Sequence, residues 1–197
     1  MLGTMSALIS PFSEQAFLRW REGRPGRWEL VGGEPVLAMA GAQQQHDQVT
    51  VNLLVALGSK LRGTRCRPWS ADIAVAIPGG NVRQPDVTID CAPVQPSALA
   101  STAPTVVFEV LSPSTRAFDQ TRKLEEYKRG ESLHHVVFLD VETPRAAHWL
   151  REGGAWSFEV LEGVGAILRL EAVPVALTLA EVYEDVVFTP PAHSTPA

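Results

Sequence analysis

The stretch Thr105-Val106-Val107-Phe108-Glu109-Val110-Leu111, ended by Ser112-Pro113, decides how this chain folds. Apolar side chains fall on both faces of the run, which predicts a strand inside a sheet covered on both sides. Glu109 interrupts it. A carboxylate buried there must be paired, change its protonation state or meet a metal, and that makes it a candidate site residue. The competing readings are an exposed strand end and a structural ion pair.

Working outward, Gln84-Pro85-Asp86-Val87-Thr88-Ile89-Asp90 predicts a second strand. Pro85 marks its beginning, where a missing N–H is tolerated. Asp86 lies at the strand mouth, and Val87 and Ile89 alternate on one face. Downstream, Asp119, Lys123 and Tyr127 fall at i, i+4 and i+8 of a helix expected over residues 115–129, so they share a face. Two acids from neighbouring strands and a lysine from the next helix are the minimum for metal-assisted phosphodiester hydrolysis. Paired carboxylates hold a hard cation such as Mg²⁺, with Mn²⁺ as a substitute. The cation polarises the phosphate and activates water, and a lysine balances the developing charge.

The order Pro85-Asp86, then Glu109-Val110-Leu111-Ser112-Pro113-Ser114-Thr115, then Asp119 and Lys123-Leu124-Glu125-Glu126-Tyr127, resembles the bacterial Uma-type endonuclease family. That family is similar to the PD-(D/E)xK nucleases, which have the restriction-endonuclease fold. The wider signature places a lysine two residues after the second acid, where this chain has Leu111. In the Uma-type branch the lysine sits on the following helix, which makes it Lys123. The resemblance runs from about Trp28 to Val182. It implies a Mg²⁺-dependent endonuclease acting on DNA, with Asp86, Glu109 and the backbone carbonyl of Val110 on the metal and Lys123 on the attacking water or the scissile phosphate. Two supporting positions follow from it. Glu34, after a hairpin turn, is either a third metal carboxylate or an exposed turn residue. His46, at a helix start, either contacts a phosphate or the surroundings of the metal, or has no ligand role. Asp119 either orients Lys123 or stabilises its helix.

At 197 residues the chain fits one domain with a real core. Residues 1–189 are expected to form it, with 190–197 a Pro-rich flexible tail. Apolar content of 45% and charged content of 20% are ordinary for a globular protein. No apolar stretch suits a membrane span, and the first residues lack a signal-peptide pattern, so the expected location is cytoplasmic. Cys66 and Cys91 flank an expected hairpin and are read as reduced core thiols. The net charge of −5 argues against tight nucleic-acid binding by bulk attraction. Local basic clusters exist at Arg19, Arg21, Arg24 and Arg27, at Arg62, Arg65 and Arg67, and at Arg116, Arg122, Lys128 and Arg129. A symmetric homodimer is the default oligomer.

The remaining pattern predicts a short helix after Ser13, a hairpin turning at Gly32-Gly33, and a helix over residues 44–62 with Val49, Leu53, Ala56, Leu57 and Leu61 on its apolar stripe. A strand over residues 66–77, a Pro-rich excursion at 92–104 and a strand at His135-Val136-Val137-Phe138-Leu139-Asp140 follow. A last hairpin turns at Gly153-Gly154, and a helix over 177–183 closes the chain. The expected fold is α/β, a restriction-endonuclease-like mixed β-sheet core flanked by helices, with an extra N-terminal hairpin and a C-terminal hairpin. Adjacent His134 and His135 point to opposite faces and make a poor chelating pair. No nucleophile elbow, P-loop or dinucleotide fingerprint is present. A catalytically silent binding or assembly module, with Glu109 and Lys123 as a structural pair, is the alternative function.

Overall fold

The computed structural model describes residues 11–39, 43–111 and 118–188. The chain opens with α1 (Glu14–Arg21), capped by Ser13, whose Oγ accepts the Ala16 N–H at 3.2 Å. The hairpin β1 (Arg27–Val31) and β2 (Glu34–Met39) turns at Gly32 and Gly33, both at positive φ, which glycine supplies at no steric cost. The helix α2 (Gln44–Lys60) follows. Then come β3 (Arg67–Ser70), β4 (Val75–Ile77), β5 (Asn81–Arg83) and β6 (Val87–Asp90). The decisive run is β7 (Pro104–Leu111), and α3 (Phe118–Tyr127) links it to β8 (His135–Asp140). β9 (Arg145–Glu152) and β10 (Ala155–Glu162) form a hairpin, followed by β11 (Ile167–Leu170), β12 (Val175–Thr178) and α4 (Leu179–Val182).

Six strands form the main sheet in the order β10-β9-β8-β7-β6-β3. All neighbours are antiparallel except β7 and β8, which run parallel. A parallel neighbour requires a crossover, and α3 lies in it. The expected mixed sheet with flanking helices is therefore present. Alternation along β7 then settles which layer each side chain meets. Val106, Phe108 and Val110 pack with Val49, Leu53, Leu57 and Leu61 of the α2 layer. Val107 packs with Leu124, Tyr127, Val136 and Phe138 on the α3 side. Glu109 shares the parity of Val107, so it faces α3. Burying each of the α2 leucines contributes about 1.5–3 kcal/mol, and Leu53→Ala is the kind of change that costs ~2–5 kcal/mol.

The structure corrects four expectations. The strand read over 66–77 is split: β3 belongs to the main sheet and β4 to a second one, ordered β2-β1-β5-β4. The N-terminal hairpin is thus half of a four-stranded sheet rather than an appendage, because β5 pairs β1 through Leu30 and Val82. The closing helix is one turn only, fixed by a capping box between Thr178 and Glu181, and the residues before it pair as β11 and β12. Finally, Cys66 and Cys91 are joined in a disulfide rather than held as thiols. The β3–β6 register, Arg67 opposite Asp90, places the next residues of each strand face to face, with Cα atoms 3.9 Å apart. The tail at 190–197 lies outside the described residues. Among the described residues no helix is long and apolar enough to cross a membrane.

Candidate active site

Register builds the site. Val87 pairs Phe108 across the antiparallel β6–β7 ladder. One step further, Asp86 stands across from Glu109, the spacing at which cross-strand side chains meet. The Asp86 Oδ2 accepts the Val110 N–H at 2.7 Å, and its Oδ1 pairs with Arg27 of β1. In a strand the N–H and C=O of one residue leave on the same side, so the Val110 carbonyl is directed to the Asp86 side of β7. His46, at the start of α2, lies with Nε2 3.4 Å from Asp86 Oδ1. It is not aligned for a hydrogen bond, so this buried Nε2 has no hydrogen-bond partner among the described residues.

The helix completes the cluster from above. Lys123 Nζ is 3.1 Å from Glu109 Oε2, and Tyr127, one turn on, donates its hydroxyl to Glu109 Oε1 at 2.5 Å. Lys123 is also 3.4 Å from Glu29 of β1. Glu29 is only 3% exposed, and its Oε1 accepts the Gln84 N–H at 3.2 Å. Arg83 ties these parts together. Its buried guanidinium donates to Glu29 at 2.6 Å and forks onto Glu126 of α3 at 2.6 and 2.9 Å, a bidentate geometry that suits arginine. The second sheet is thereby pinned to α3, and Glu29 to Lys123.

Lys123 is divided between Glu109 and Glu29, and Arg83 between Glu29 and Glu126. Among the described residues Glu109 therefore has no cation to itself. Burial pushes its carboxyl up to about 7; Lys123 opposes the rise, and Asp86 and Glu29 add to it. Burial also pushes Asp86 upward, but His46, Arg27 and the Val110 N–H outweigh it, and Asp86 ends below the usual carboxylate range. The surroundings thus push the two facing carboxyls in opposite directions, a pattern that marks sites of acid–base or metal chemistry. Between them is a cleft of about 40 Å³ bordered by Arg27, Glu29, Asp86, Glu109 and Lys123. That is room for one ion or water. A larger substrate must approach from its mouth. A larger cavity of about 680 Å³ lies toward the other end of β7, bordered by Thr105 and His134, and contains none of these acids.

Among the described residues, no three His, Cys, Asp or Glu side chains form a ready cage for a metal. The donor chemistry nevertheless fits a hard divalent cation. Mg²⁺ takes one or two carboxylates and completes its shell with water or substrate. Here two oxygen-donor acids face each other, Glu109 shares its lysine with Glu29, and His46 Nε2, without a hydrogen bond among the described residues, lies 3.4 Å from Asp86.

The structure thus brings Asp86, Glu109, Val110, Lys123 and His46 together. Glu34 is not among them: it is exposed at the hairpin tip, paired with Val31, outside the cleft. The hairpin instead delivers Glu29, because the middle of β1, not its tip, reaches Arg83 and Lys123. Sequence reasoning missed Glu29, Arg83 and Glu126. The signal for Glu29 was present in Trp28-Glu29-Leu30-Val31, an acid inside a largely apolar strand, the same signal that exposed Glu109. The side chain of Asp119 and residues 112–117 of the motif lie outside the described residues.

A mixed sheet carrying two facing acids at its strand ends, with a lysine overhead, defines the restriction-endonuclease-like class. Residues 14–181 match the Uma2 family, described as "Putative restriction endonuclease", and the chain belongs to that family. It is 32% identical over 136 residues to the uncharacterized Synechocystis protein slr1290, covering 68% of this chain and 71% of that one. It is 26% identical over 155 residues to a second uncharacterized Synechocystis protein, sll1609, covering 76% and 87%. A crystal structure from Anabaena variabilis, titled a "putative nuclease belonging to DUF820", shares the fold. Its TM-score is 0.69 at 17% identity, over 88% of this chain and 98% of that one. The family supports a nuclease-like function.

Proposed function

We propose that this protein is a Mg²⁺-dependent endonuclease that hydrolyses DNA phosphodiester bonds in the cytoplasm, working as a homodimer. The observation that carries the reading is the convergence of Asp86, Glu109 and Lys123 on one cleft. Asp86, Glu109 and the Val110 carbonyl would hold the cation. When bound, it polarises the scissile phosphate and lowers the pKa of a water. Lys123 donates to that water or to a non-bridging phosphate oxygen, and balances charge as the phosphate becomes crowded. Tyr127 fixes Glu109, the Val110 N–H fixes Asp86, and Arg83 keeps Glu29 beside Lys123. A dimer places two clefts so that both strands of a duplex can be cut.

The test is calorimetric titration of Mn²⁺ and Mg²⁺ into wild type and Glu109→Ala, followed by plasmid cleavage. Binding in the wild type and its loss in Glu109→Ala support the site. Equal binding by both would remove Glu109 from it. A second reading has an observation of its own: Lys123 already lies between Glu109 and Glu29. In a silent assembly module that bridge is purely structural. Such a protein would show no metal binding and no cleavage, while Lys123→Ala would lower its stability.

A further inference from the structure

A second cavity, of about 230 Å³, opens beside the acid cleft and shares two wall residues with it, Arg27 and Gln84. Arg21 and Arg24, from the end of α1 and the turn after it, supply further cationic wall, and Glu22 and Asp72 supply acidic wall. Arg21 is committed to the fold: its guanidinium donates to the backbone carbonyls of Asp72 at 2.7 Å and Leu99 at 2.9 Å. Arg24 is not. Its Nε donates to the Trp20 carbonyl at 2.8 Å, and its guanidinium carbon lies 4.2 Å over the Trp20 ring. Its terminal amino groups have no partner among the described residues. Stacking on an aromatic face holds an arginine in place while leaving its fork for an anion. Gln84 borders both cavities. It is 6% exposed, its Nε2 donates to the Ala71 carbonyl at 2.7 Å, and its Oε1 is buried without a partner among the described residues. The cavity wall thus carries an arginine whose fork has no partner among the described residues, beside the Arg27 and Gln84 that both cavities share.

We propose that this groove holds the sugar–phosphate backbone of a nucleic-acid strand next to the scissile phosphate. Arg24 and Arg27 would contact phosphates. The placement next to the scissile bond rests on the nuclease reading. A chain of net charge −5 gains little from bulk attraction to DNA, so affinity must come from local contacts, and phosphate contacts are what position a strand. An acid-lined cleft makes the need sharper, because the phosphate entering it is repelled until cations alongside hold the strand. Arg27 borders both cavities and pairs with Asp86, so one guanidinium links the acids to the backbone path.

The experiment is fluorescence anisotropy of a short labelled DNA strand and its duplex, titrated in EDTA over a range of salt. Without metal there is no cleavage, so the readout is independent of catalysis. Arg24→Ala should weaken binding several-fold and flatten the dependence of log affinity on log salt by roughly 0.7–0.9, the change expected when one fewer phosphate is neutralised. Arg24→Glu should weaken it more. Arg169→Ala, an exposed arginine of β11, removes the same charge elsewhere and should change neither. The groove is overturned by Arg24 variants that bind like wild type, by an equal effect of Arg169→Ala, by absence of binding in the wild type, or by polyglutamate competing as well as DNA. That last result would assign the surface to acidic peptides. Failure of the nuclease reading looks different: strand binding sensitive to Arg24 persists, while Glu109→Ala leaves metal binding unchanged and no plasmid is cut.

Discussion

Around Glu109, one lysine is divided between two carboxylates, whereas around His135 each imidazole nitrogen has a partner of its own. Glu109, His135 and His148 are all buried on the same sheet. His135 and His148 lie on neighbouring antiparallel strands, in the diagonal register set by Val137 opposite His148. The Ala172 N–H donates to His135 Nε2 at 3.2 Å. His135 must then carry its proton on Nδ1 and donate to His148 Nε2, 2.9 Å away. His148 must carry its own on Nδ1 and donate to Glu159 at 2.9 Å. The relay is complete with both rings neutral, and burial, with the neighbouring histidines, holds His135 down at about 3. The lesson lies in charge rather than polarity. The histidine chain uses all four ring nitrogens and ends on Glu159. The Glu109 cluster holds neighbouring acids that share one lysine among the described residues, beside an opening.

The sharpest way to break this comparison is catalytic. Lys123→Ala should slow plasmid cleavage by about 10²–10³-fold, the usual effect of losing one group that stabilises transition-state charge. Mn²⁺ binding measured by calorimetry should survive. His148→Leu, equally buried, should leave the cleavage rate near wild type once the protein is folded. If the two variants lose activity alike, the distinction between an open and a closed cluster has no functional meaning.

The second test reverses the roles, with stability as the readout. His148→Leu leaves the His135 Nδ1–H buried without an acceptor, which should cost about 1–3 kcal/mol in urea denaturation. The double variant His135→Leu/His148→Leu should recover part of that loss, because removing both partners costs less than stranding one. A double variant less stable than the sum of the two single ones would show that the two rings do not act as one relay.

Much of this was legible in the sequence, and the limits are physical. The strand at Glu109, the helix with Lys123 and Tyr127 on one face, and the strand at His135 follow from periodicity, which is local. What brings Asp86 opposite Glu109 is strand register, a long-range property. Periodicity placed the two acids on neighbouring strands, and the family resemblance put them on one metal, but neither set the register. Glu29 was the harder residue to find because the family pattern points to Glu34 at the turn, though an acid within an apolar strand is the better signal. Cys66 and Cys91 read as free thiols when compartment is weighed before register, yet register places them face to face. The relay partner of His135 could not be found from its neighbour His134, since partners across a sheet are distant in sequence.

The smallest effect separates the two clusters by pH. Glu109 has a folded pKa of about 7 against an ordinary 4.5. The folded state binds the extra proton between those values, so this group's stabilisation is lost as pH rises through them. His135 has a folded pKa of about 3 against 6.5. Here the unfolded state binds the extra proton, so stability is lost as pH falls from 6.5 toward 3. Between 4.5 and 6.5 the two slopes oppose, and wild-type Tm should vary little. Glu109→Gln removes one slope and should leave a Tm that rises with pH across that window. His135→Leu removes the other and should leave a Tm that falls. Saturating Mn²⁺ should raise wild-type Tm more at about pH 8 than at about pH 5, because a bound cation favours ionised Glu109, and the same addition should do little to Glu109→Gln. A Glu109→Gln profile that follows wild type, with or without Mn²⁺, would mean that the Glu109 carboxyl does not titrate near neutrality, and the contrast between the two clusters would rest on geometry alone.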